Sequence, residues 1–234
     1  MIATPTMVFV HLHKTGGQFI NRLLLAHVPG ARRIGYHLPR SEAPEAIRHL
    51  PALGFVRNPW DWYVSWYAFN FMTPERNPIF RIVSAHGTIG FEGTIGNLVM
   101  LGDHDHRSMR MQIAQQLPAT RDTNLGSGIT QHVMSLMEES DRGYVTWIWR
   151  YMFLLDGQFT GVTVGRFETL RRDLVECLTQ ASIPIPPAMQ HDIATRPAVN
   201  PSSHGEYQGY YSKNLKELVA EKDREYIDYY DYRF

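Results

Sequence analysis

The stretch MVFVHLHKTGGQFINRLLL, residues 7–25, constrains the fold more than any other part of this 234-residue chain. Apolar and β-branched residues come first, followed by two glycines, and then apolar residues recur at the spacing of one helical face. The pattern predicts a buried strand, a glycine turn and a helix over about residues 17–27. Such a turn points several backbone N–H groups at one place, where the helix dipole also favours an anion. We therefore expect a phosphate site here.

Two other interpretations of the glycine turn stay open. An ATP or GTP loop requires G-x-x-x-x-G-K-[ST], in which the hydroxyl after the lysine holds magnesium. Thr15 does follow Lys14, but the preceding residues FVHLH contain no glycine, which disfavours a nucleoside triphosphatase. A plain strand–helix turn with a solvent-facing lysine fits KTGG alone equally well, because such tetrapeptides are common.

Further strand and helix patterns follow in alternation and predict an α/β fold with a central parallel sheet flanked by helices. ARRIGYH and ALGFV are candidate strands, and WDWYVSWYAFNF is a candidate helix. Ser41 is expected to cap a short helix that has Pro44 in its first turn. RYMFLLDGQFTGVTVGRF predicts two strands around Asp156-Gly157. A last helix is expected from about Ser212.

The chain length fits one domain, residues 1–234, in which residues 73–146 are expected to form a mostly helical insertion or a mobile lid. This segment is rich in Gly, Pro, His and Met. Its DHDH run, residues 103–106, is the best arrangement for a metal, but such polar runs are usually solvated loops. We therefore expect no metal site.

Charge and cysteine content limit the partners and the compartment. The chain has 23 basic and 23 acidic residues. This balance gives no general argument for nucleic acid or an anionic membrane as a binding partner. No stretch approaches the roughly 18 apolar residues of a membrane span. The single cysteine, Cys177, excludes an internal disulfide and suggests a reducing compartment. MIATPT is too short for a secretory signal, so we expect a complete, cytoplasmic protein.

The segment FVRNPWDWYVSWY supplies a second clue to phosphate binding. Arg57 follows a predicted strand, and Ser65 lies eight residues later, about two turns into the next helix. Arginine and serine side chains at the carboxyl edge of a strand suit a second phosphate in the same crevice. Taken singly, an arginine that caps carbonyl groups and a serine on a helix surface are the simpler interpretations.

Together these segments resemble the PAPS-dependent sulfotransferases. In that family a PK[ST]G[GT][TS] loop binds the 5′-phosphosulfate, and R-[ND]-P-x5-S binds the 3′-phosphate. Residues 57–65, RNPWDWYVS, match the second pattern. HKTGGQF matches the first, with His13 for proline and with Gln18 and Phe19 in place of hydroxyl residues. DGQFTGVTVGRFETLRRDL and the C-terminal NPSSHGEYQGYY…DYYDYRF are similar to segments of the carbohydrate-type and bacterial branches.

The resemblance implies a P-loop nucleotide-hydrolase-like sulfotransferase fold and transfer of a sulfuryl group from PAPS, by in-line displacement, to a hydroxyl or amine. Lys14 would neutralise charge on the leaving phosphate. The acceptor would be a small molecule, a sugar or a natural product, and residues 73–146 would be the acceptor-side region. The implied cofactor-binding residues are His13, Lys14, Thr15, Gly16, Gly17, Gln18, Phe19, Arg57, Ser65 and Ser202.

The acceptor hydroxyl needs a general base, for which His37 in GYHLPRSEAP is the first choice. The simpler interpretation is a partly buried histidine held by a backbone carbonyl. Glu42, His11 and His104 are the other candidates for the base. A small-molecule kinase on a related fold and a non-catalytic nucleotide-binding relative are the alternative functions.

Overall fold

Two compact units make up the protein. The computed structural model describes residues 1–122, 128–137, 140–197, 199 and 204–234. The first unit comprises Met1–Arg57, Asp122–Gly128 and Arg150–Pro201. The second comprises Asn58–Arg121, Ile129–Trp149 and Ser202–Phe234.

A mixed five-stranded sheet lies in the first unit. Its strands are β1 (Ile2–Ala3), β2 (Val8–Val10), β3 (Arg32–Arg33), β4 (Ala52–Val56) and β5 (Val162–Arg166), in the order β3-β1-β2-β4-β5. The predicted parallel core is confirmed, because β2 pairs in parallel with β4 and β4 with β5. The short strands β1 and β3 extend it as antiparallel neighbours. The carboxyl ends of β2, β4 and β5 therefore lie side by side.

Besides the end of α8 (Tyr144–Phe153), the described part of the first unit contains the helices α1 (Gly17–His27), α2 (Glu45–Arg48), α9 (Leu170–Gln180) and α10 (Pro187–Thr195). The expected helix over residues 17–27 is confirmed. Its predicted apolar face is buried in the core with Phe9, Phe55 and Leu174 of the sheet and of α9. This burial fixes α1 directly after β2 and so fixes the turn between them.

The second unit is helical in its described part. Its helices are α3 (Pro59–Phe71), α4 (Pro78–Val83), α5 (Phe91–Val99), α6 (Arg107–Gln116), α7 (Gln131–Ser135), α11 (Lys213–Lys222) and α12 (Arg224–Tyr230), and α8 (Tyr144–Phe153) begins in it. Five short 3₁₀ turns occur in the described chain, at Arg40–Glu42, Pro74–Arg76, His104–His106, Phe167–Thr169 and Tyr207–Tyr210. The helical character expected between residues 73 and 146 is thus seen. Of the helices described, none has the length and apolar character needed to cross a membrane.

Two sequence-based expectations are wrong. RYMF is the end of α8, not a strand, because Ile148, Trp149 and Met152 are fully buried at helical spacing. The second strand predicted for this segment is present as β5. Only an isolated antiparallel bridge, Leu155 to Gln158, remains of the predicted hairpin. Ser41 lies inside a 3₁₀ turn and does not cap a helix, and Pro44 precedes α2 instead of lying in its first turn.

The last helix expected from about Ser212 is confirmed as α11. The Ser212 side chain accepts from the Leu215 amide at the start of this helix.

A buried carboxylate organises the second unit. Asp223, between α11 and α12, is fully buried. Its Oδ2 accepts from the Tyr63 hydroxyl at 2.7 Å, and its Oδ1 accepts from both the amide and the hydroxyl of Thr146 at 2.8 Å. A Cβ on Gly143 would stand 2.5 Å from this carboxylate. Burial raises the pKa of Asp223 to about 6 in spite of these hydrogen bonds.

The raised pKa predicts how stability depends on pH. Because the folded pKa exceeds the usual 3.8, the contribution of Asp223 to stability is fully present below pH 3.8 and is lost as the pH rises through about 6. The loss amounts to about 3 kcal/mol at about 1.4 kcal/mol per pKa unit. Urea unfolding at several pH values measures the free energy of unfolding. In Asp223→Asn the decline of this free energy between pH 3.8 and about 6 should be absent. Asp228→Asn, at an exposed position of α12, should keep it. Equal pH profiles for both variants would contradict the assignment.

Candidate phosphate-binding site

The loop between β2 and α1 requires glycine at residue 16. Gly16 has a φ of 78° and stands immediately before α1, in the left-handed region that favours glycine. A Cβ at this position would lie 2.9 Å from Leu170 Cδ2. Lys14 also has a positive φ, 61°. The loop is therefore tightly curved, and its second half packs directly on the segment that follows β5.

Gly17 is required for a different reason. A Cβ there would lie 1.9 Å from His11 Cδ2, so the His11 ring occupies the space that any side chain would need. Thr15 is fully buried, and its hydroxyl donates to the Leu12 carbonyl at 2.9 Å. The Thr15 side chain thus holds the shape of the loop.

Arg57 reaches the loop from the carboxyl end of β4. Its Nη1 donates to the Lys14 carbonyl at 3.2 Å, and its guanidinium carbon lies 4.2 Å from the centre of the Phe167 ring. The side chain is buried, and stacking on an aromatic face limits its movement. The ends of three adjacent parallel strands therefore supply the lysine, the arginine and the ring that supports the arginine.

The positive charge of Arg57 perturbs Lys14. Burial and the positive charge of Arg57 lower the pKa of Lys14 from 10.5 to about 8. An anion that contacts both groups would relieve their repulsion and raise the pKa of Lys14 again. The N-terminus of the eleven-residue α1 adds positive potential at the same place. The arrangement is suited to a phosphate or sulfate group.

Three histidines pack beside the loop. His37 Nδ1 donates to the His11 carbonyl at 2.8 Å. The His37 ring stacks on His13 with 3.8 Å between ring centres and an interplanar angle of 7°, and its centre is 4.2 Å from that of His11. Burial and the neighbouring imidazoles hold the pKa of His37 well below 6.5. His37 is therefore neutral near pH 7, and since Nδ1 carries the proton, Nε2 carries the lone pair.

Gln18 and Phe19 differ in their surroundings. The Gln18 amide donates to the Tyr36 hydroxyl. Phe19 is buried in the core, so only its backbone can face a bound anion.

The two serines predicted to bind the cofactor are not tested by the structure. Ser65 is buried in α3, within the second unit, and its binding of a phosphate stays a prediction. Ser202 lies outside the described residues.

The other candidates for a base have other contacts. Glu42 accepts from the Tyr151 hydroxyl at 3.0 Å. His11 is buried, and its Nδ1 lies 3.3 Å from the Asn21 amide nitrogen. His104 lies in a 3₁₀ turn of the second unit. In that turn's DHDH run, Asp103 accepts from Lys222 at 3.0 Å, and no group of three potential metal ligands occurs among the residues that the structure describes.

Sequence reasoning missed the roles of His11, Tyr36 and Phe167. His11 and His13 alternate in HLH, which was a signal that both rings face the same side. The hydrogen bond between His37 and the His11 carbonyl joins residues 26 positions apart, and no local pattern encodes it. Phe167 stands in GRFE, where its position beneath Arg57 depends on the parallel pairing of β4 and β5.

Comparisons with known proteins define the fold. No protein-family model matches the chain, and no curated protein matches it in sequence. One solved structure, mouse sulfotransferase SULT7A1 complexed with PAP, matches with a TM-score of 0.50 over 94% of this chain and 84% of that one, at 14% identity. The predicted P-loop-like α/β sulfotransferase fold is thereby confirmed. At this identity the likeness concerns the fold alone.

The contact between Gly17 and His11 gives a stability prediction. Gly17→Ala should destabilise the protein by about 1–3 kcal/mol, because the new methyl group overlaps the His11 ring. Gly96→Ala is the matched control, since a Cβ on that residue of α5 meets nothing within 4 Å, and it should stabilise by about 0.5–1 kcal/mol. Chemical denaturation measures both changes. In His11→Ala/Gly17→Ala the loss should be smaller than the sum of the single losses; strict additivity would contradict the overlap.

Proposed function

We propose that this protein transfers a sulfuryl group from PAPS to a hydroxyl or amine of a small-molecule, sugar or natural-product acceptor. The observation that supports this proposal most strongly is the position of Lys14 and Arg57. They meet at the carboxyl ends of two adjacent parallel strands, beside a glycine loop that leads into a helix. The sulfotransferase that shares this fold was solved with PAP, which supports the proposal. On the same observations, together with the resemblance of the sequence segments, we propose that the protein is a member of the PAPS-dependent sulfotransferases.

The residues of the loop fit an anionic nucleotide. Gly16 and Gly17 allow the tight turn of the loop, because side chains at these positions would overlap Leu170 and His11. The amides of Thr15, Gly16 and Gly17 belong to the N-terminal turn of α1 and the residues before it, where an anion is favoured. Arg57 offers a planar donor group suited to a phosphate. Ser65 is the further side chain that we assign to the 3′-phosphate, on the resemblance of RNPWDWYVS. Bound PAPS would supply the sulfuryl group and a phosphate leaving group.

The chain's own residues supply electrostatic stabilisation and proton transfer. Lys14 places a positive charge where charge develops on the leaving phosphate oxygen, and the loop amides hold that phosphate. Arg57, supported by Phe167, keeps the Lys14 carbonyl in place. His37 takes the proton of the acceptor hydroxyl at Nε2, since its Nδ1–H is committed to the His11 carbonyl.

Binding of adenosine 3′,5′-bisphosphate (PAP) tests the proposed cofactor. Isothermal titration without magnesium should show binding to the native protein, and Lys14→Met or Arg57→Met should weaken it at least about tenfold, because each removes a charged hydrogen-bond donor. Lys213→Met, at an exposed lysine, is the control and should bind as the native protein does. Above pH 8 the affinity of the native protein should fall as Lys14 loses its proton, and Lys14→Met should lose this dependence.

Two outcomes would contradict the proposal. Stabilisation by Mg-ATP but not by PAP would favour the kinase alternative. Absence of binding by either nucleotide would favour a non-catalytic relative that uses the fold for another purpose.

The role of His37 is tested with an acceptor found by a screen with labelled PAPS. His37→Ala should lower kcat at least about 100-fold and leave the PAP affinity unchanged, because the base acts on the acceptor. His49→Ala, at an exposed histidine of the first unit, is the control. If His37→Ala retained nearly full turnover, another residue would be the base.

A further inference from the structure

The Gln18 side chain contacts the segment that carries His37. Gln18 is the second residue of α1, where the resemblance places a nucleotide contact. Its amide nitrogen donates to the Tyr36 hydroxyl. Tyr36 is the residue before His37, so this hydrogen bond joins the start of α1 to the segment after β3.

Tyr36 in turn packs on the histidines. The centre of its ring lies 4.4 Å from that of His37 at an angle of 77°, and 5.6 Å from that of His11 at 85°. These are edge-to-face contacts, which aromatic rings favour. Tyr36 therefore covers one side of the histidine cluster while its hydroxyl is held by Gln18.

His37 needs such support, because its backbone is unfavourable. Its φ is 46°, in the left-handed region, which is strained for a residue other than glycine. Two described hydrogen bonds, besides the ring contacts, attach the segment to the loop and to the start of α1. One is the hydrogen bond from His37 Nδ1 to the His11 carbonyl, and the other is the bond between Gln18 and Tyr36.

We propose that Gln18 and Tyr36 form a positioning pair that fixes His37 against the phosphate loop, so that Gln18 serves the base instead of the nucleotide. The inference rests on the proposed function and deepens it. Gln18 stands where the related loops have a hydroxyl residue, and its longer side chain reaches Tyr36. Neither residue of the pair touches the reacting groups; both act through His37.

Three variants test the pair: Gln18→Ala, Tyr36→Phe and the double variant. Each single variant should lower kcat about tenfold, and the double variant should fall no further, because each single change already breaks the same hydrogen bond. PAP affinity should stay within about twofold of the native value. Tyr229→Phe, which removes the hydroxyl of an exposed tyrosine of α12, is the control and should leave kcat unchanged.

Nuclear magnetic resonance of the histidine side chains gives a readout that needs no acceptor. In the native protein His37 should be the Nδ1–H tautomer, and its pKa should lie well below 6.5. In Gln18→Ala and Tyr36→Phe the tautomer preference should weaken and the pKa should move toward 6.5, because the ring becomes more exposed to water. Tyr229→Phe should show the native spectrum.

The results separate this inference from the proposed function. If the native protein does not bind PAP, the proposed function fails, while the spectra still decide whether the pair holds His37. If PAP binds but Gln18→Ala weakens it tenfold while Tyr36→Phe changes neither kcat nor the His37 spectrum, Gln18 is a phosphate donor and the pair is refuted. Additive losses of kcat in the double variant would also overturn the coupling.

Discussion

The absence of side chains at Gly16 and Gly17 is the constraint on which the candidate site depends. On one side Leu170 approaches the loop so closely that a Cβ on Gly16 would lie 2.9 Å from its methyl carbon, and on the other the His11 ring fills the space beside Gly17. The loop is therefore held between the segment after β5 and the end of β2. Its conformation is set by packing before any anion arrives, and a site formed in advance loses less conformational entropy on binding.

The same packing explains the electrostatics of the site. Arg57 is held between Phe167 and the Lys14 carbonyl, and it cannot move away from the lysine without losing both contacts. The mutual repulsion is retained in the folded protein and appears in the lowered pKa of Lys14. Groups with perturbed pKa values of this kind are common at functional sites, because stability alone gives no reason to bring two like charges together.

Local patterns predict the parts of the fold that depend on neighbouring residues. The order of strand, glycine turn and helix over residues 8–27 could be read directly, because burial periodicity and glycine conformation are local properties. The strand assigned to RYMFLL was wrong, since a short apolar run does not distinguish a strand from a buried helix such as α8. The position of Phe167 beneath Arg57 follows from the pairing of β4 with β5, which no window of the sequence contains. Sequence therefore located the loop and its cations, whereas the histidine cluster and the Gln18–Tyr36 contact required the tertiary structure.

The short strand β3 has a consequence for how copies of the protein behave toward one another. It is an outermost strand of the sheet, it has only two residues, and both are exposed arginines. An approaching strand from a second molecule would find little backbone to pair with and two like charges beside it. Brevity and charge are the means by which sheet edges resist intermolecular pairing. This edge should therefore protect concentrated solutions of the protein against aggregation through strand addition.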